Sequence, residues 1–173
     1  MIHMTEPNGR YDSPPGRELS WRREAPWPGA QRIMRVGLDD GKLDSIEPFG
    51  TAGGGIIAPP VHVPEHDIAI AWDSINGGLA GVATGGDDLD VAWQLDIRAS
   101  MQPVVFPDSG ELVINDFTDD GADHLVVVDL VTGELLDRVD TGSRIGNGMF
   151  LTADGDGGVF YCSTLTVAHV RWT

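Results

Sequence analysis

A phrase of 18 residues occurs twice in this chain and constrains its fold more than any other feature. "MRVGLDDGKLDSIEPFGT" begins at Met34, and "VVVDLVTGELLDRVDTGS" begins at Val126. Each phrase contains an apolar strand, a turn with a glycine, a second strand and a glycine-rich exit. Gly41 and Gly133 lie 92 positions apart, which is two steps of 46. A repeat of this length, made of short strands, predicts a tandem array of small sheets.

The residues between and after these phrases repeat the same order of short strands. Residues 60–63 and 103–106 both read as a proline followed by an apolar strand, at an offset of 43. Grouping the apolar runs by this repeat gives two, four, four and three strands. Four strands in about 45 residues are typical of one β-propeller blade. The sequence therefore predicts an all-β fold, a partial β-propeller of about three four-stranded antiparallel blades.

Alternation within the predicted strands indicates which side chains are buried. Val91, Trp93, Leu95 and Ile97 occupy every second position of the run 90–97. Because successive side chains of a strand point to opposite faces, these four are predicted to form one buried face.

The start of the chain differs in composition from the rest. Residues 1–30 are polar and contain several prolines, so we expect an irregular polar leader, with the β-propeller-like repeat domain at 31–173. The start lacks the apolar core of a signal peptide, and no run of 18 apolar residues predicts a membrane span. As written, the chain is expected in the cytoplasm. A true start further upstream would instead indicate a secreted or cell-envelope protein.

The charge of the chain is strongly acidic, with 27 acids, 11 bases and a formal net charge of −16. Beyond residue 35 the chain carries 23 acids and five bases. A field of this sign repels phosphate backbones and anionic membrane surfaces, so neither nucleic acid nor membrane is expected as a partner. Solubility accounts for the charge, and attraction of cations is the alternative. Cys162 is the single cysteine, which excludes an internal disulfide.

The phrase "VVVDLVTGELLDR" (126–138) resembles the repeat of the PQQ-like, or quinoprotein-type, β-propeller family. Asp129, Thr132 and Gly133 match that repeat, whereas Asp137 stands where the family has a tryptophan. Gly133 can adopt positive φ in a tight turn, and the side chains of Asp129 and Thr132 can accept hydrogen bonds from the turn backbone. The resemblance implies a propeller fold and, in some members, a quinone cofactor beside a metal ion. An adjacent cysteine pair, frequent in those members, is excluded here.

An acidic segment, "NDFTDDGADH" (115–124), is the first candidate site. Asn115, Asp116, Asp119 and Asp120 offer hard oxygen ligands for Ca²⁺ or Mg²⁺. Their spacing matches no standard calcium loop, and a solvated hairpin explains them equally well. Two further patterns are weighed in the same way. His62 and His66 have a metal-ligand spacing or form a polar corner, and residues 154–158 open a calcium loop or form a hairpin turn.

The glycine-rich segment 142–148 is the second candidate site. It connects the outer strand of one predicted blade to the inner strand of the next, near the axial surface of a propeller. Arg144 and Asn147 lie in it and are the candidates for contact with a small ligand or cofactor. It opens no helix and lacks the lysine of a phosphate-binding loop.

These features favour a non-catalytic β-propeller module that serves as a scaffold or binds a protein or small molecule, with no cofactor expected. It could be a fragment of a larger propeller. Because an unclosed arc leaves strand edges and sheet faces uncovered, self-association is a further expectation. The alternatives are a quinone-dependent dehydrogenase-like remnant with PQQ, and a metal-dependent hydrolase or lactonase with Ca²⁺.

Overall fold

A computed structural model describes residues 2–4, 29–55, 59–143 and 148–172 of the chain. These residues form fourteen strands in four antiparallel sheets of three, four, four and three strands. Sheet one contains β1 (Ile2–Met4), β2 (Ile33–Val36) and β3 (Leu43–Ile46). Sheet two contains β4 (Val61–Val63), β5 (Ile68–Trp72), β6 (Leu79–Ala83) and β7 (Asp90–Leu95). Sheet three contains β8 (Val104–Phe106), β9 (Glu111–Phe117), β10 (Asp123–Asp129) and β11 (Leu135–Ser143). Sheet four contains β12 (Gly148–Ala153), β13 (Gly158–Ser163) and β14 (Val167–Arg171).

Each strand pairs with its neighbour in the sequence, so every sheet is an antiparallel meander. The predicted all-β fold and the partial propeller of four-stranded blades are confirmed, with sheets two and three as the complete blades. A single turn of 3₁₀ helix (Pro64–His66) interrupts the strands between β4 and β5. None of the helical structure in the described ranges is long and apolar enough to cross a membrane.

One part of the segment expected to be an irregular leader forms a strand. Ile2–Met4 pairs antiparallel with β2, with His3 opposite Met34. The expectation of an irregular leader is therefore corrected at these three residues. Residues 5–28 lie outside the described ranges.

The four sheets are stacked in chain order, and each interface between them is filled by apolar side chains. On β5, Ile68, Ile70 and Trp72 face sheet three, whereas Ala69 and Ala71 face sheet one. All five are buried, because this strand is covered on both sides. The small alanines and the large side chains thus alternate along one strand and serve two different interfaces.

Three clusters mark the three interfaces. Between sheets one and two lie Ile33, Ile46, Phe49, Ala69, Ala71, Val82 and Leu89. Between sheets two and three the buried members are Val63, Ile68, Ile70, Trp72, Leu79, Trp93, Ile97, Ala99, Leu112, Ile114, Val126, Val128 and Leu130. Between sheets three and four the buried members are Met101, Val113, Leu125, Val127, Val159 and Tyr161. Burial of each large side chain contributes roughly 1.5–3 kcal/mol to folding.

The turn after β10 has the structure that the repeated phrase predicts. Gly133 has φ of 72° and donates its N–H to the carbonyl of Asp129. The Asp129 carboxylate accepts hydrogen bonds from the backbone N–H groups of Val131 and Thr132, and from the Thr132 hydroxyl. The backbone hydrogen bond from Thr132 is the main cause that lowers the pKa of Asp129. The side chain therefore completes the turn and is structural.

The predicted buried face of β7 is wrong at its first residue. Trp93 and Ile97 are buried, but Val91 is 38% exposed. The pairing of β6 with β7 shifts register between Gly81 and Val82, so that Trp93 lies opposite Gly81 and Val91 lies opposite Val82. Because this bulge inserts one extra residue, it turns Val91 toward the other face of the sheet.

Candidate binding groove beside the last sheet

The outer edge of sheet four differs from that of the two complete blades. In sheets two and three, the third strand is flanked by a fourth, β7 or β11. The equivalent third strand of sheet four is β14, and within the described ranges no strand pairs with its other side. Edge strands present unpaired backbone donors and acceptors, which is the usual basis for adding a strand from another chain.

The hairpin that precedes β14 sets which of its backbone groups face the free edge. Ser163 N–H donates to the carbonyl of Thr166 at 2.8 Å, which closes a tight turn between β13 and β14. Hydrogen-bonded and non-bonded pairs alternate along an antiparallel ladder. The backbone groups of Ala168 and Val170 therefore point toward β13. Those of Val167, His169 and Arg171 point away from it, toward the free edge.

A groove of about 170 Å³ lies beside this edge, between sheets three and four. Its floor is apolar, and its walls come from β11 and from β14 with the residue that follows it. The lining residues are Val113, Leu125, Val127, Asp137, Arg138, Val139, Val170, Arg171 and Trp172. An apolar floor with a few polar groups at the rim is typical of a binding cleft.

The groove lies where β11 lacks the tryptophan of β7. Trp93 lies opposite Gly81, and its ring packs over Gly133 of the next sheet while its Nε1 donates to the Leu130 carbonyl at 2.8 Å. On β11 the equivalent residue is Asp137, which lies opposite Val127. An aspartate cannot fill the space that an indole fills between sheets two and three. The departure from the family repeat at Asp137 thus coincides with an opening in the packing.

An ionic cluster on the far side of sheet four fixes β14 in place. The Asp154 carboxylate lies 2.7 Å from Nε2 of His169 and 3.2 Å from Nε of Arg171. It also accepts hydrogen bonds from the backbone N–H groups of Asp156 and Gly158. The hydrogen bond with His169 is the main cause that holds the pKa of Asp154 far below its ordinary value. The edge strand is therefore tied to the β12–β13 turn by a residue that sequence reasoning had placed in a hairpin.

A buried polar network links sheet three to sheet four on the other side of the groove. Asn115 Nδ2 donates to Asp123 Oδ1 at 3.0 Å, and the Tyr161 hydroxyl donates to Asp123 Oδ2 at 2.6 Å. Asn115 Oδ1 accepts from the backbone N–H groups of Ser100 and Met101. Burial, followed by the hydrogen bond to Asp123, raises the pKa of Tyr161. Sequence reasoning missed Tyr161, since a tyrosine in an apolar strand carries no signal of a polar partner.

The structure does not bring the predicted metal ligands together. Asn115 lies opposite Leu125, on the face toward sheet four, whereas Asp116 lies on the other face and pairs with Arg138 at 2.7 Å. Asp119 is exposed at the tip of the hairpin, 3.0 Å from Arg98. Asp120 closes the turn by accepting from the Thr118 hydroxyl and the Ala122 N–H, and the bond from Thr118 is the main cause that lowers its pKa.

Other predicted ligands are also engaged in local contacts. His62 Nε2 lies 3.2 Å from the Thr84 hydroxyl, and His66 Nε2 lies 2.8 Å from the Pro107 carbonyl. Across the described ranges, no three His, Cys, Asp or Glu side chains are grouped closely enough to hold a metal ion. A Ca²⁺ site and the metal-assisted quinone site that the family resemblance implies therefore stay predictions. Arg144 and Asn147 lie outside the described residues, so their contact with a ligand stays a prediction.

Comparison with known proteins supports the fold. No family model and no curated protein sequence matches the chain. Among solved structures, BamB from Moraxella catarrhalis matches with a TM-score of 0.52 and 16% identity, over 76% of this chain and 40% of that protein. A candidate 6-phosphogluconolactonase from Bacteroides fragilis matches with a TM-score of 0.50 and 11% identity, over 82% of this chain and 47% of that protein. Both neighbours are β-propellers, and the chain spans less than half the length of each.

Proposed function

We propose that this chain is a non-catalytic β-propeller module that binds an extended polypeptide segment as a fourth strand of sheet four. The observation that carries the proposal is the free edge of β14 beside the groove. In the two complete blades, the same position is occupied by a strand whose backbone pairs with the third strand. A bound segment would repeat that pairing and would gain main-chain hydrogen bonds from Val167, His169 and Arg171.

The groove also specifies the chemistry of the segment. Val139 and Trp172, which line the groove and are not fully buried, favour apolar side chains at alternate positions of the bound strand. Two arginines of the lining, Arg138 and Arg171, are already paired with Asp116 and Asp154. Asp137 on the groove wall and the formal net charge of −16 therefore favour basic residues at the positions between them. The preferred occupant is therefore an extended peptide that alternates apolar and basic residues. The same acidic charge disfavours nucleic acid and anionic membranes as partners.

The enzymatic alternatives find no support in the contacts of the described residues. A lactonase or dehydrogenase site needs several oxygen ligands that converge on one cation. Here Asp116 is paired with Arg138, and Asp120 completes a turn. The likeness to a candidate lactonase, at 11% identity, concerns the fold alone.

A peptide titration followed by amide NMR tests the proposal. The probe is a peptide with the sequence of residues 90–97, the chain's own fourth strand of sheet two, in which Asp90 and Asp96 are replaced by lysine. We expect its binding to shift the amide signals of Val167, His169, Arg171 and Val139 first. The unmodified acidic peptide should bind at least about tenfold more weakly, because it brings like charge to an acidic surface.

A matched pair of variants isolates the contribution of the edge. Val167→Pro removes a backbone N–H that points to the free edge, which an edge strand tolerates. Val167→Thr keeps this N–H and the branched shape of the side chain. We expect Val167→Pro to weaken binding of the lysine peptide at least about tenfold and Val167→Thr to change it little. Equal binding to both folded variants, or shifts confined to sheets one and two, would contradict strand addition.

A further inference from the structure

We infer that two copies of this chain join end to end into a closed ring, with sheet four of each copy packed on sheet one of the other. The inference concerns sheet faces, whereas the proposed peptide site is a strand edge. It starts from the front face of sheet four, defined as the face that points away from sheet three. Its side chains include Phe150, Thr152, Phe160, Cys162, Val167, His169 and Arg171.

The front face of sheet four carries exposed apolar side chains beside its ionic cluster, and no residue of the described ranges covers them. Phe150 is 65% exposed, Phe160 is 44% exposed and Val167 is 77% exposed. Two aromatic rings and a valine on one sheet face are unusual at a protein surface and typical of an interface. The ring of Phe160 stacks on the imidazole of His169 at a centroid distance of 4.5 Å, which leaves the other side of the stack open.

The equivalent face of sheet three is covered by another sheet, and this shows what kind of surface packs on such a face. On β9, Leu112 and Ile114 face sheet two, and Val113 between them faces sheet four. On β13, Val159 and Tyr161 face sheet three, which makes Phe160 the counterpart of Val113. Val113 is fully buried because the next sheet covers it. The front face of sheet four thus has the pattern of a surface that receives another sheet.

Sheet one presents the complementary back face, the face that points away from sheet two. Ile33 and Ile46 lie opposite each other and pack toward sheet two. The alternate pair, Val36 opposite Leu43, therefore points the other way, and Leu43 is 60% exposed. In sheets two and three, the back face is the one that the preceding sheet covers. Among the described residues, no sheet lies against the front face of sheet four or against the back face of sheet one.

A second copy of the chain can cover both the front face of sheet four and the back face of sheet one. Under two-fold symmetry, the front face of each copy meets the back face of its partner, so that two identical interfaces form. The chain spans 40% and 47% of the two neighbouring propellers, and twice that share is most of a whole propeller. Two copies therefore supply about the length that a closed ring of this kind uses.

The charge of the chain predicts that added salt strengthens the dimer. Each copy carries a formal net charge of −16, which opposes dimerisation at low ionic strength. The Debye length falls to about 10 Å at 0.1 M salt and to about 3 Å at 1 M, so added salt screens this repulsion. We expect the dimer dissociation constant to fall at least about tenfold between 0.05 and 0.5 M NaCl.

Sedimentation equilibrium of the 18.5 kDa chain tests the ring directly. We expect a monomer–dimer equilibrium. Phe160→Asp on the front face and Leu43→Asp on the back face should each raise the dissociation constant at least tenfold. An equimolar mixture of the two variants should regain dimer, because one of its two interfaces combines the unaltered faces. Val131→Asp, at an exposed valine of the β10–β11 turn, is the matched control and should leave the equilibrium unchanged.

The outcomes separate the ring from other associations and from the proposed peptide site. A dimer that responds to Phe160→Asp but not to Leu43→Asp would show front faces paired with each other and would overturn the ring. A wild-type chain that stays monomeric in 0.5 M NaCl at millimolar concentration would also overturn it. The front face includes Val167, His169 and Arg171, so the peptide titration is carried out at a concentration where the chain is monomeric, and neither result then affects it. Failure of strand addition would likewise leave the mass measurement intact.

Discussion

Gly133 shows how one residue can serve two sheets. Its positive φ closes the turn between β10 and β11, and its missing side chain makes room for the ring of Trp93 from sheet two. A Cβ at this position would lie 2.6 Å from Cγ of Trp93. Gly41, its counterpart in the repeated phrase, has φ of 68° but no atom within 4 Å of such a Cβ. The two glycines therefore share a backbone requirement and differ in a packing requirement.

Alanine at the two glycines should separate these requirements. Gly41→Ala should destabilise the fold by about 1–2 kcal/mol, the cost of a left-handed residue with a side chain. Gly133→Ala should cost roughly 2–5 kcal/mol, because displacement of Trp93 adds to the same backbone cost. Urea unfolding of the two variants measures the difference. Equal losses would show that Trp93 relaxes at no cost, contrary to the packing seen here.

At the scale of single residues, the sequence was sufficient to predict the roles of turn residues. It was insufficient to predict which residues contact each other across two sheets. The roles of Asp129, Thr132 and Gly133 follow from local chemistry, because a short turn is closed by its own residues. The Leu130 carbonyl to which Trp93 donates lies 37 positions away in the chain, and no local pattern specifies it. The tryptophan of the repeat could be recognised, but the atom to which it donates could not.

The strands show which parts of the fold periodicity can predict. Alternation correctly predicted that Trp93 and Ile97 of the run 90–97 are buried. It failed at Val91, because a bulge in the pairing with β6 changes the face without changing the sequence pattern. Asn115 and Asp116 are adjacent on β9, and adjacent strand residues point to opposite faces. Strand periodicity alone could therefore have separated them as ligands of one cation.

The hydrogen bond between Tyr161 and Asp123 connects strand β13 of sheet four to strand β10 of sheet three, and its contribution to stability can be measured. Tyr161→Phe removes the donor to a fully buried carboxyl oxygen, so it should cost about 1–3 kcal/mol of folding free energy. Asp123→Asn should also destabilise the fold, and the double variant should lose less than the sum of the two. A double-mutant cycle by urea unfolding measures this coupling. Strict additivity would mean that the bond does not hold the sheets together.

For the whole molecule, the stack of sheets carries its acidic charge almost without compensation. Beyond residue 35 there are 23 acids and five bases, and some of these bases are engaged in ion pairs, such as Arg98 with Asp119 and Arg138 with Asp116. Repulsion among the remaining acids opposes the compact state. The charge of the whole molecule could be read from the sequence, whereas the uncovered faces at its two ends required the structure.

Salt should therefore stabilise the fold as well as the dimer. At a concentration where the chain is monomeric, we expect 0.5 M NaCl to add about 1 kcal/mol, which corresponds to a rise in Tm of about 2–4 °C. Thermal unfolding followed by circular dichroism measures the shift. An equal ionic strength of NaCl and KCl should act alike if screening is the cause. A decrease in Tm with salt would mean that the ion pairs outweigh the repulsion.

The order of the strands also has a consequence for how the chain acquires its structure. Every strand pairs with a strand next to it in the sequence, and apart from β1 and β2, which residues 5–32 separate, paired strands are joined by short loops. Short loops cost little closure entropy and favour fast folding for a protein rich in β-structure. During synthesis, sheet two has all its strands once residue 95 has left the ribosome, well before sheet four exists. The growing chain can therefore fold one blade before the next has been synthesised. Each folded blade then offers the apolar face on which the next blade packs.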